Sequence, residues 1–274
     1  MTLKDESRTA VATAQDTEYG DDYDYASSPH IRHEILRKRL EGKITEAVGE
    51  VLSRQQSCAV LEVGAGHGTF TETVLHAGGT PTVTEMSGAS FDFLNRKFGQ
   101  VPGVRVIYDN DGSTVLDEEN KFDLILLISV IHHIPDYIGA ISALCEKVLR
   151  PGGTVLTFQD PLWYPRQSRI ARTLTWGSYF TWRLGQGELR RGLGTRWRRL
   201  RGIYNEAEPS DMVEYHVVRQ GVDEAALLDL FRARFTDVEL DTYFSTPAAT
   251  LQAFGEMHFP DNTFGVLARG LCTR

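Results

Sequence analysis

The sequence predicts an α/β protein with a doubly wound, mostly parallel sheet. Between Cys58 and Phe158, short apolar runs alternate with amphipathic stretches. The runs are nearly continuous Val, Ile and Leu, the composition of strands covered on both faces. Three glycines in VGAGHG stand where the first of these strands has to turn into a helix.

Each element follows in chain order. From Pro29 to about Leu52, Ile31, Ile35, Leu36, Leu40, Ile44 and Val48 recur at helical spacing, with Ser28 and Pro29 placed as a start, so one or two helices precede the sheet. CAVLEV (58–63), TPTVTEM (80–86), VRVIY (104–108) and FDLILLIS (122–129) read as strands, with helices at FTETVLHA (70–77) and SFDFLNRKF (90–98) between them. A helix carrying Ile138, Ile141, Leu144, Cys145 and Val148 ends at the breaker Pro151-Gly152-Gly153, and TVLTF (154–158) is the next strand. After Asp160 the rhythm lapses. Residues 161–220 hold all four tryptophans, Trp163, Trp176, Trp182 and Trp197, and a cluster of arginines. It resumes with a helix on Leu227, Leu230 and Phe231 and strands near 238–244 and 264–270. The expected organisation is an N-terminal tail with cap helices (1–55), a core (56–160), an inserted lid (161–220) and the C-terminal part of the core (221–274).

Composition narrows the function classes. With 274 residues, 41% apolar and 24% charged, the chain has material for a substantial core and is neither fibrous nor disordered. A net charge of -8 speaks against a protein built mainly to grip a polyanion. Cys58, Cys145 and Cys272 show no disulfide or metal spacing, and no metal is expected. With no signal-peptide pattern, no run of eighteen apolar residues and no repeat, a cytoplasmic protein without membrane partners is expected. Residues 1–24 carry seven acids against two bases and read as a frayed tail, although Tyr19, Tyr23 and Tyr25 give it something to pack.

The glycine loop carries the most chemistry. In LEVGAGHGTF (61–70), Gly64, Gly66 and Gly68 let backbone approach a ligand and turn helix amides towards it. Taken alone, the glycines fit a tight ligand-free turn as well. The spacing is G-x-G-x-G, with Thr69 where a dinucleotide fold has its third glycine, and no Tyr-x-x-x-Lys pair occurs, so hydride transfer is disfavoured. Glu85, twenty-one residues after Gly64, stands where an acid accepts hydrogen bonds from a ribose.

With NDG (110–112), FDLILLISVIHHI (122–134) and LRPGGTVL (149–156), these motifs form an ordered series over 57–160. The series resembles that of class I S-adenosylmethionine-dependent methyltransferases, and within them the small-molecule enzymes that tailor natural products. The resemblance implies a seven-stranded Rossmann-like sheet and S-adenosylmethionine as cofactor. It further implies that Glu62 orients the loop and reaches the methionine amino group. Gly64, Ala65 and Gly66 pass under the methionine and ribose. Glu85 holds the ribose and Met86 lies on the adenine; Asp111, between Asn110 and Gly112, meets the adenine amine. Ser129 offers backbone near the methionine, and Tyr25 closes over the cofactor.

Methyl transfer needs a nucleophile aligned with the methyl and water excluded, and a base only where the nucleophile carries a proton. Ligands of such sheets lie beyond the carboxyl ends of the strands. There stand His132, His133 and Asp160, each a candidate base or substrate contact, with a loop tie or cap as the alternative role. His216 and His258 rank behind them. QDPLW (159–163) follows the wrong strand for an amino-methyltransferase of DNA. The Trp-rich lid reads as a wall for a flat apolar substrate, or as a local core or oligomer contact. Its arginines (183, 190, 191, 196, 198, 199 and 201), facing only Glu188, leave an RNA substrate as an alternative, although nucleic acid is disfavoured. The expected reaction moves a methyl group to O, N or C of an apolar or aromatic small molecule; a silent partner protein of the same fold is the other alternative. A homo-oligomer through the N-terminal helix or the lid stays open.

Overall fold

In the computed structural model, residues 25–117, 119, 121–174, 177 and 220–272 are described. Seven strands, β1 (Ala59–Val63), β2 (Thr80–Glu85), β3 (Arg105–Tyr108), β4 (Phe122–Ile128), β5 (Leu149–Pro161), β6 (Phe235–Tyr243) and β7 (Thr263–Leu271), form one sheet in the order β3-β2-β1-β4-β5-β7-β6. The first five are parallel, and β7 runs antiparallel to both of its neighbours. This is the mostly parallel, doubly wound sheet that the sequence predicts, and β7 and β6 supply its far edge.

Helices α1 (Pro29–Arg32), α2 (Glu34–Leu52), α3 (Thr69–His76), α4 (Gly88–Phe98), α5 (Tyr137–Lys147), α6 (Glu224–Arg232) and α7 (Ala249–His258) cover it. The strand period of two sorts the core. Val60, Leu124, Leu126, Leu156 and Phe158 face α2, whose Leu36, Leu40, Ile44 and Val48 are fully buried. Leu61, Ile125, Leu127 and Val155 face the other way, into a layer with Ile141 and Leu144 of α5 and Leu227 and Phe231 of α6.

One expectation is corrected, and one helix is added. The breaker Pro151-Gly152-Gly153 lies within β5, because Gly152 adopts φ +75° and the pairing with β4 slips between Phe122 and Leu124, so that the strand bulges without ending. Helix α7 has no counterpart in the sequence reading: it buries Gln252 and Gly255 while Phe254 and Met257 are exposed, so its apolar residues do not mark the face that packs.

The described residues on either side of the 161–220 stretch meet at one point. Val222 N–H donates to Pro161 O (3.0 Å), Tyr164 N–H to Gln220 O (2.6 Å), and Leu162 bridges Val222. Trp176, Trp182, Trp197, the arginines at 183–201 and His216 lie outside the described residues, as do Tyr19 and Tyr23 and the side chain of Tyr25. Among the described residues no helix is long and apolar enough to cross a membrane, and no group of His, Cys, Asp and Glu is arranged to hold a metal.

Candidate active site

The glycine loop joins β1 to α3. Gly64, Gly66 and Gly68 adopt φ of +66°, +56° and +72°, a region that costs other residues about 1 kcal/mol or more. A Cβ on Gly64 would come 2.8 Å from Val130 Cγ2, so the loop is closed to side chains as well as turned sharply. The Gly64 and Ala65 amides donate to Thr84 O (3.0 and 3.1 Å), which ties the loop to β2.

Glu85, buried at the end of β2, accepts from Gly66 N (2.8 Å) with one oxygen and from Met86 N (3.0 Å) with the other. Glu62, buried on β1, accepts the Thr71 hydroxyl at 2.5 Å. Burial first, and then the neighbouring Glu85 charge, push the Glu62 carboxyl up to about 7 against the bond from Thr71. At the end of β3, Asn110 is exposed, Asp111 accepts from Ser113 N and Oγ (2.9 and 2.6 Å), and Gly112 (φ +73°) has open space around it.

An open cleft lies over the loop, lined by Glu62, Gly64, Ala65 and Gly66, by Ile128 and Ser129 at the end of β4, by His133, and by Ser28, His30 and Ile31 at the start of the helical cap. Met86 and the 110–112 turn lie beyond this cleft, at the ends of β2 and β3.

The strand ends beside it are strained. Ser129 has φ +58° and donates its N–H to Phe158 O (2.7 Å). Gln159, next in β5, has φ +69°, and pairing with β7 slips between Thr157 and Asp160. Such residues persist only where their surroundings force them, and they collect at functional sites. Here they bring His132 and Asp160 together. Asp160, fully buried, accepts from His132 N (3.1 Å) and His132 Nδ1 (2.8 Å) through the same oxygen. Burial raises the Asp160 carboxyl above the usual range, and the bonds and charge of His132 pull it back. The His132 and His133 rings lie 4.0 Å apart. A histidine whose Nδ1–H is held by a buried carboxylate keeps Nε2 as its proton acceptor.

The sequence model of the family described as methyltransferase domain matches residues 61–155, the stretch that contains the loop, Glu85 and the His132–His133 turn. The match bears out the resemblance carried by the motif series. The chain is 30% identical over 107 residues to the ubiquinone biosynthesis O-methyltransferase of Pasteurella multocida (strain Pm70), a match that covers 35% of this chain and 43% of that protein. Against the enzyme of the same name from Bordetella avium (strain 197N), identity is 30% over 125 residues, 45% of this chain and 49% of the other. The chain thus spans just under half the length of these curated relatives.

The fold extends further than the sequence similarity. The N-methyltransferase NodS from Bradyrhizobium japonicum WM9, solved with S-adenosyl-L-homocysteine, matches 97% of this chain and 100% of its own with a TM-score of 0.53 at 15% identity. The [4+2]-cyclase SpnF matches 99% and 97% with a TM-score of 0.54 at 13% identity. One of these neighbours is called a methyltransferase and the other a cyclase, so the reaction has to be argued from the site.

The structure unites His132 and Asp160, which the sequence offered as separate candidates, and it leaves His258 exposed at the end of α7. It also adds His30, which sequence reasoning missed. His30 is 6% exposed and stacks on Phe70 at 5.8 Å. The only hint in the sequence was its place directly after Pro29, ahead of the apolar helical stripe.

Proposed function

We propose that the chain transfers a methyl group from S-adenosylmethionine to an O, N or C atom of an apolar or aromatic small molecule, as natural-product tailoring enzymes do, with His132 as the base for an acceptor that carries a proton. The observation that carries this is the His132–Asp160 pair, 2.8 Å apart beside the glycine-loop cleft of a methyltransferase domain.

The residues present fit the cosubstrate. An ammonium and a sulfonium suit a cleft with a buried acid at Glu62 and a second behind it at Glu85, and a ribose suits an acid fixed on the loop by Gly66 N–H. When bound, S-adenosylmethionine supplies an electrophilic methyl on a good leaving group. Glu62, Gly64 to Gly66 and Ser129 would hold its methionine and ribose parts; Met86 and Asn110 to Gly112 would border the adenine. The protein then has to align the acceptor, keep water out and take one proton. Asp160 holds the His132 ring so that Nε2 accepts that proton, and the buried carboxylate offsets the charge that His132 gains. A hydroxyl is the acceptor this pair fits best, because it keeps its proton at neutral pH, and the O-methyltransferase relatives agree with that choice.

Calorimetry with S-adenosylmethionine and with NAD tests the first step: binding of the former and not of the latter is expected, and the reverse sinks the proposal. Transfer of labelled methyl to phenols and catechols tests the second. Cosubstrate binding without any transfer would favour a silent partner of this fold, and transfer to RNA would replace the small-molecule acceptor.

A further inference from the structure

His30 lines the cleft, yet the reaction just described gives it nothing to do. It is the second residue of α1, nine-tenths buried, and its ring lies on Phe70 at an interplanar angle of 27°. Its Nδ1 is buried with no hydrogen-bond partner among the described residues. A polar nitrogen in that condition costs stability, and a ligand that pairs with it recovers the loss. The same cleft holds Glu62, so an acid and an imidazole border one space.

We propose that His30 donates a hydrogen bond to the carboxylate at the amino-acid end of S-adenosylmethionine while Glu62 takes the ammonium. The proposal rests on the cosubstrate reading above and adds a residue to it. Burial first, and then the nearby His132, hold the His30 ring neutral down to about pH 3. A neutral N–H donor serves a zwitterion better here than a cation would, since no second positive charge competes with the ammonium and sulfonium.

Calorimetry on the full chain separates the contact from mere packing, with S-adenosylmethionine and its decarboxylated form, which keeps the amine, as probes. His30→Phe keeps a ring on Phe70 and removes the donor; it is expected to weaken S-adenosylmethionine about ten- to a hundredfold and leave the decarboxylated form unchanged. His30→Asn, which retains a donor, should recover much of the loss, and it carries the test if the Phe variant does not fold. Equal losses for both ligands, or no loss, overturn the proposal. A wild type that binds neither overturns the cosubstrate reading along with it, whereas one that binds both equally overturns the carboxylate contact alone.

Discussion

His30 and His33 stand three residues apart, both buried, and their surroundings differ. His33 Nε2 lies 2.7 Å from Thr246 O, and the polar groups beyond it close on one another: Gln252 Oε1 accepts from Thr246 N, Gln252 Nε2 donates to Phe244 O, and Asn262 pairs with both backbone groups of Ser245. On the cleft side, His30 Nδ1 and Asp160 Oδ2 are buried without hydrogen-bond partners among the described residues, and Glu62 is pushed up to about 7. Both regions hide polar atoms. The first spends them on holding the α1–α2 junction to the edge of the sheet, and the second keeps capacity for something that is not protein. Capacity, more than burial, distinguishes the site.

The sharpest test of this contrast lies at the open side. Asp160→Asn or His132→Ala is expected to lower turnover by about 10²- to 10⁴-fold with cosubstrate affinity little changed; a calorimetric loss as large as the kinetic one would show instead that the pair shapes the binding cleft. Glu62→Gln comes next. It should weaken S-adenosylmethionine about ten- to a hundredfold, because a charge-assisted bond to the ammonium is lost.

The same residue gives the contrast a pH signature. The folded carboxyl, at about 7, lies above its ordinary 4.5, so the folded chain holds the proton more tightly than the unfolded one. Its contribution to stability is full below about 4.5 and is lost as pH rises through about 7, by roughly 3 kcal/mol at most. Thermal denaturation of the ligand-free protein across that range should show the decline, and Glu62→Gln should flatten it.

On the closed side the expectation inverts. Gln252→Leu strands Thr246 N and Phe244 O and should cost about 1–3 kcal/mol in denaturant unfolding, with S-adenosylmethionine affinity unchanged once the variant is folded. The smallest effect belongs to the surface. Arg269 meets Glu46, Glu50, Asp237 and Glu239, partners that are themselves largely exposed. Arg269→Ala should cost under about 1 kcal/mol, and less in high salt.

How much of this was legible follows from what each signal depends on. Strands β1 to β4 and the glycine loop depend on local pattern, so CAVLEV, FDLILLIS and VGAGHG announced them. Helix α7 did not announce itself because it packs through Gln252 and Gly255. Glu85 drew attention through its place at a strand end, whereas Glu62 and Ser129 were named only through the resemblance of the motif series. His30 was not, because a histidine after a proline says nothing about the Phe70 ring it will meet.

The sequence by itself therefore determined the wound sheet, the loop that turns β1 into α3 and the residues that border it, since backbone preference and hydrophobic period act over a few neighbours. Only the tertiary structure decided which polar groups were left open. His132 and Asp160 are 28 positions apart and meet across β4 and β5; His33 and Thr246 are 213 apart and meet across the cap. Burial and pairing are properties of a place in the fold, and they alone separate a histidine that ties two segments together from one that waits for a ligand.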